Sequence, residues 1–190
     1  MINEIIRSRC GGKVERCHTI PHNGSYNNAA HSWGVAMLMY YLWPEDFPRL
    51  AIYCLSHDIG EGWMGDVPAP ALWAMGSARK HFDDMEGDLQ EAAGCPREDV
   101  LPAEDLAKLK ACDRLELYIW CRDQMAMGNM YVRDCEKALK FYFRDNPLPE
   151  PAMSLCADLI SMKDEDYTPT QQGVVQELMD IRNGRSQQTG

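Results

Sequence analysis

Apolar residues recur at helical spacing along almost the whole chain, and nowhere does a period-two run rich in Val, Ile and Thr stand between turn signals. A sheet needs such runs, so the pattern confines the chain to an all-α fold. The spacing predicts helices over 2–9, 28–43, 46–60, 77–93, 102–127, 131–144 and 169–183. Asn27 or Asn28 suits the N-cap of the second, and Pro102 the first turn of the fifth. GWMGDVPAP at 62–70 carries enough glycine and proline to form a loop. NPLPEP at 146–151 is the only linker-like stretch, which sets a core over 1–150 apart from a helical appendage over 151–190 with a frayed polar end.

A chain of 190 residues buries roughly 70% of the surface it exposes when unfolded, so its core needs no disulfide or structural metal. A metal here would serve chemistry. The eight cysteines include no C-x-x-C pair and read as free thiols. The competing reading is a cysteine-based zinc site or a redox centre, with Cys17 beside Arg16 and His18 as the candidate thiol of low pKa. The 29 acidic residues outnumber the 19 basic ones, and a formal charge of −10 repels a nucleic-acid polymer. A small phosphorylated ligand stays compatible, since a metal and a few cations reverse the local field. No apolar run approaches the ~20 residues of a membrane span, and the first residues lack a signal-peptide apolar stretch. The expected location is the cytoplasm, with no membrane partner.

Polar residues interrupt the inward stripes of three of these helices. His31 shares a stripe with Val35, Leu38 and Leu42, where a lone histidine is ordinarily a hydrogen-bonded core residue. Leu50, Cys54 and His57 form a second stripe, with Asp58 adjacent and Glu61 one turn on. Packing alone explains that cluster poorly, because buried carboxylates are expensive unless paired or bound to a cation. The alternative is that Asp58 and Glu61 face water at a helix end closed by Gly60 and Gly62. Asp113 falls on the stripe of Leu106, Leu109, Leu117 and Trp120. If these helices lie side by side, His31, His57, Asp58 and Asp113 supply two imidazoles and two carboxylates, a set suited to a divalent transition ion.

The order His31, His57-Asp58, Asp113 resembles the H…HD…D signature of the HD-domain metal-dependent phosphohydrolases. HDIGEGWMGDVPAP (57–70) is similar to a longer motif of bacterial 5'-deoxynucleotidases and bacteriophage dATP triphosphohydrolases. VERCHT (14–19) resembles the R-x-H-T element of the phage members, HSWGVAML (31–38) their first ligand helix and KACDRLEL (110–117) their last. The likeness covers residues 10–145. It implies a helical bundle with the metal, Co²⁺, Mn²⁺, Zn²⁺ or Mg²⁺, held between helices by His31, His57, Asp58 and Asp113. Glu61 would assist the attacking water, Asp66 would lie across from it beside the scissile bond or the sugar, and Arg16 would contact phosphate or deoxyribose. Cys17 and His18 would line the substrate pocket, and related domains form homo-oligomers.

Three departures concern substrate: Cys17 replaces a tryptophan, Ala30 a glutamate and Leu72 a lysine. Without that lysine, phosphate binding falls to Arg16, the metal, or Arg79 and Lys80, which equally suit a solvated helix face. His22 and His81 are expected in water, and the Met and aromatic residues of 36–43 and 117–121 in helix packing. The resemblance implies hydrolysis of a deoxynucleoside triphosphate to deoxynucleoside and triphosphate. The alternatives are a 5'-deoxynucleotidase acting on dNMPs and a catalytically silent nucleotide-binding module.

Overall fold

The computed structural model describes residues 1–169 and 178–181. The chain runs through α1 (Ile2–Gly11), α2 (Asn28–Leu42), α3 (Phe47–Ser56), α4 (Glu61–Met64), α5 (Ala69–Ala74), α6 (Ala78–Ala92), α7 (Ala103–Ala126), α8 (Arg133–Asp145) and α9 (Ala152–Ser161). Single 3₁₀ turns occupy Glu98–Val100 and Met130–Val132. No strand occurs among the described residues, whose only β feature is an isolated bridge between Glu15 and Asn27. Nor is any of these helices long and apolar enough to cross a membrane.

The all-α expectation holds because the apolar stripes find one another. α7 is the axis: α2 and α3 pack on one side of it, α8 and α9 on the other. Val35, Ala36, Met39, Leu50, Cys54, Leu109 and Cys112 are buried where α2, α3 and α7 meet. A second cluster, including Leu115, Tyr118, Trp120, Cys121, Leu139 and Phe143, joins α7 to α8 and α9. Being covered on both sides, α7 buries polar residues too, among them Asp105, Lys108, Arg122 and Gln124. Each has partners: Arg49 donates to Asp105, and Lys108 pairs with Asp46 and Glu104.

Several boundaries differ from expectation. The third helix stops at Ser56, and residues 57–60 form a tightened turn with backbone bonds from Ile59 to Ser56 and from Glu61 to Asp58. Successive side chains diverge by about 100° on an α-helix and by more in a tighter turn, so His57 Nε2 and Asp58 Oδ2 meet at 3.2 Å through the bend of the side chains themselves. The expected loop over 62–70 holds the end of α4 and the start of α5, with an extended link between them. The helix expected at 169–183 lies mostly outside the described residues, of which 178–181 are helical. His22, expected in water, has a side chain only 10% exposed and meets Trp120 edge-on at 5.5 Å, because the loop before α2 folds down over α7. Conversely Tyr40 and Tyr41, expected in helix packing, are exposed.

α9 was not legible as an element, yet Ala152, Cys156 and Leu159 enter the same core as α7. The chain after the proline-rich stretch therefore begins as part of the main body. Arg122 fastens it: its buried guanidinium donates to the carbonyls of Leu159 (2.8 Å) and Met162 (3.1 Å) and lies 4.8 Å over the Tyr167 ring. A cation at a helix C-terminus satisfies carbonyls that have no partner within the helix. Arg122→Met should cost about 2–4 kcal/mol and lower the melting temperature by roughly 6–12 °C. A thermal melt within 1 °C of the parent, on a scale of about 3 °C per kcal/mol, would remove Arg122 as the fastening.

Candidate metal centre

His31 reaches the centre from the first turn of α2, which Asn27 caps by accepting the Ala30 N–H at 3.0 Å. His57 and Asp58 come from the turn after α3, and Asp113 from the middle of α7. The two Nε2 atoms stand 3.2 Å apart, and Asp113 Oδ1 lies 3.3 Å from His31 Nε2 and 3.9 Å from His57 Nε2. His31, His57 and Asp113 thus offer three donor atoms mutually within 4.8 Å. Asp58 Oδ2 is 3.2 Å from His57 Nε2 and 3.6 Å from His31 Nε2, but it is also ion-paired with Arg16. These spacings suit a cation, since donors about 2.1 Å from a common ion stand roughly 3.0–3.4 Å from their neighbours.

The far side of each ring decides what the near side offers. His57 Nδ1 faces the Cys54 carbonyl at 3.0 Å, which only accepts, so Nδ1 carries the proton. His31 Nδ1 faces the Glu116 carboxylate, which also accepts the Tyr26 hydroxyl at 2.5 Å. Both Nε2 atoms then aim lone pairs at each other across 3.2 Å, a repulsive arrangement unless a proton or a metal ion lies between. Gly34 in α2 makes the Glu116 contact possible, because a Cβ there would stand 2.6 Å from Glu116 Cγ.

The charges respond to this crowding. Burial, the largest influence, and Arg16 pull the His31 pKa down, but hydrogen bonds with Asp113 and Glu116 and the charge of Asp58 push it up to about 9. Burial acts to raise Asp58 and Asp113, yet the imidazoles, with Arg16 on Asp58, hold both well below the usual carboxylate range. In the metal-free protein a proton on His31 below about pH 9 therefore occupies the gap a cation needs. Metal uptake should release that proton, with apparent affinity rising about tenfold per pH unit from about 7 to 9 and levelling above. Calorimetry in buffers of different ionisation enthalpy counts the proton; an affinity that does not change with pH would show the gap uncontested.

The remaining expected residues gather around this cluster in different ways. Glu61 is buried at the start of α4, where its Oε2 accepts the Asn28 amide at 2.8 Å; burial first, then Asp58, pushes its pKa up to about 8. Arg16 is held by Asp58 and Asn28, and its Nε is buried with no hydrogen-bond partner. Asp66 Oδ2 accepts the Cys17 N–H at 2.8 Å and lies 3.6 Å from His18 Nδ1, so it fixes the segment carrying Arg16. Cys17 sits in the left-handed region at φ 52°, and burial pushes its thiol up to about 12. That direction removes the basis for a reactive low-pKa thiol. His18 is 47% exposed at the side chain. Arg79 and Lys80 pair with Asp83 and Asp84 on the outside of α6, a solvated face. His81 is exposed, as expected.

Sequence reasoning missed four contributors. Glu116 and Lys110 stand three residues to either side of Asp113, the spacing that places side chains on one helix face, so both had a local signal. Lys110 pairs with Glu98 at 2.6 Å and feels the charges of Asp113 and Asp58. Asn28 had none, because its partners are distant in sequence, and Tyr26 donates to Glu116, 90 positions away. Asn28 bridges the Gly11 and Asp58 carbonyls to Glu61. Neither the models of known protein families nor the curated proteins match this chain.

Proposed function

We propose that the chain is a metal-dependent phosphohydrolase of deoxynucleotides, acting as a dNTP triphosphohydrolase of the dATP type that releases deoxynucleoside and triphosphate. One observation carries the reading: imidazoles from separate elements turn both Nε2 atoms toward Asp113 and Asp58, with their Nδ1 atoms already engaged. His31, His57, Asp113 and, once released by Arg16, Asp58 would hold a divalent ion. Such an ion supplies an acidified nucleophile at neutral pH and positive charge against phosphoryl oxygens.

The surrounding residues fit that chemistry. Arg16 has an unpartnered, buried Nε, which suits a phosphoryl oxygen. Glu61, with one oxygen occupied by Asn28 and a pKa pushed up to about 8, suits proton transfer from the attacking water to the departing 5' oxygen. Water adds to the α-phosphorus, the bond to O5' breaks, and the proton ends on the deoxynucleoside. Asp66 keeps the Arg16 segment in place through the Cys17 N–H. The dATP preference rests on the likeness to phage enzymes, and the same reading makes the protein a cytoplasmic homo-oligomer.

Incubating purified protein with dNTPs and dNMPs plus Co²⁺ or Mn²⁺ tests this. Triphosphate released from dATP is expected. Orthophosphate from dNMPs alone would instead make it a 5'-deoxynucleotidase. Absence of bound metal, with His57→Ala and Asp58→Ala indistinguishable from the parent, would make it a silent binding module.

A further inference from the structure

A cavity of about 660 Å³ shares Asp58 with the candidate metal centre, and Asn28, the end of α1 and the start of α2 complete its wall. Its volume falls within the ~300–1,000 Å³ of small-molecule sites. Arg9 and Lys13 line it, and among the described residues neither side chain has a hydrogen-bond or ion-pair partner. The two acids in the wall are already engaged. Asp58 is paired with Arg16, and Glu15 accepts the Tyr26 N–H at 2.7 Å and the Ser25 hydroxyl at 2.9 Å. In a chain of formal charge −10, Arg9 and Lys13 are cations without a partner among the described residues, in a wall whose Asp58 is already balanced by Arg16, and such cations are what a polyanion requires.

The lining suits the phosphate end of a nucleotide better than the base. None of the side chains around the cavity is aromatic, so it offers no face for stacking a base. We propose that this cavity receives the β- and γ-phosphates of a nucleoside triphosphate, with Arg9 and Lys13 binding them. The proposal rests on the phosphohydrolase reading and deepens it: the cavity is what makes a triphosphate, rather than a monophosphate, the preferred substrate.

The test uses the full chain and the double variant Arg9→Ala/Lys13→Ala, whose changes are on exposed side chains. Inorganic tripolyphosphate is titrated calorimetrically into metal-free protein, with orthophosphate as the control. The parent should bind tripolyphosphate on the order of tenfold more tightly than the variant does, the loss expected for two charge-assisted contacts. In metal-loaded protein, the ratio of kcat/KM for dATP to that for dAMP should fall about tenfold through KM for dATP. Equal tripolyphosphate affinity in parent and variant, or an unchanged ratio, would overturn the proposal. Tripolyphosphate binding that depends on Arg9 and Lys13, in a protein that hydrolyses no deoxynucleotide with any metal, would leave the cavity as a polyphosphate site and sink the phosphohydrolase reading alone.

Discussion

Asp113→Asn protein is expected to retain its fold but to bind Co²⁺ or Mn²⁺ at least ~100-fold more weakly, because even partners outside the ligand shell cost 10–100-fold when changed. On the proposed phosphohydrolase reading, metal-dependent hydrolysis should fall by about 10³-fold or more, the equivalent of some 4 kcal/mol of lost transition-state stabilisation. The reason is charge. Two imidazoles and two carboxylates balance a divalent ion, and an amide at 113 leaves one positive charge uncompensated in a buried site. Asparagine keeps the shape, so the helical circular dichroism should match the parent. Metal content and rate are read on the same preparation. Full metal occupancy at parental affinity in the Asp113→Asn protein would refute the assignment of Asp113 as a ligand.

Glu61→Gln is expected to do the opposite to metal and a comparable thing to rate. Metal affinity should stay within about threefold, since Glu61 lies outside the ligand set, while kcat drops about 10²–10⁴-fold as proton transfer is lost. A stability measurement separates this from misfolding. Burial and Asp58 push the Glu61 pKa up to about 8, so the folded state disfavours its ionised form. That penalty is absent below the unfolded carboxyl pKa of about 4.3, grows as pH rises, and is complete above the folded value. Glu61→Gln should therefore raise the melting temperature of metal-free protein most above pH 8, with little change at pH 4. A variant that loses activity and is also less stable at pH 9 would mean that Glu61 acts through structure.

The difference between what was legible and what was not follows the range of the interactions. Val35, Leu50, Cys54 and Leu109 are fully buried where the helical period placed them. The same period put His31, His57 and Asp113 on inward faces, because a helix repeats its orientation every few residues whatever surrounds it. Glu116 had a signal of this kind, at i+3 from Asp113, but a carboxylate there equally suits water; only the approach of α2 at Gly34 turns it onto His31. α9 also had one, in Ala152, Cys156 and Leu159, masked by the prolines before it.

Other features had no local trace. Arg16 beside Asp58 joins residues 42 positions apart, and Asp66 reaches the Cys17 N–H across 49. The tightened turn at 57–60 was unreadable for another reason. Its glycines and polar residues suit a helix end as well as a sharp bend, and the bend is chosen by Asn28 and Gln90, which take the Asp58 and His57 carbonyls.

By itself the sequence determined that the chain is helical and which helix faces carry imidazole and carboxylate inward, since both are consequences of local backbone geometry and hydrophobic spacing. Only the tertiary structure decided that three of those groups meet within 4.8 Å, that Glu116 and the Cys54 carbonyl orient the rings, and that a cavity carrying Arg9 and Lys13 lies beside Asp58. Such meetings depend on how α2, α3 and α7 cross one another, which the period of a single helix does not encode.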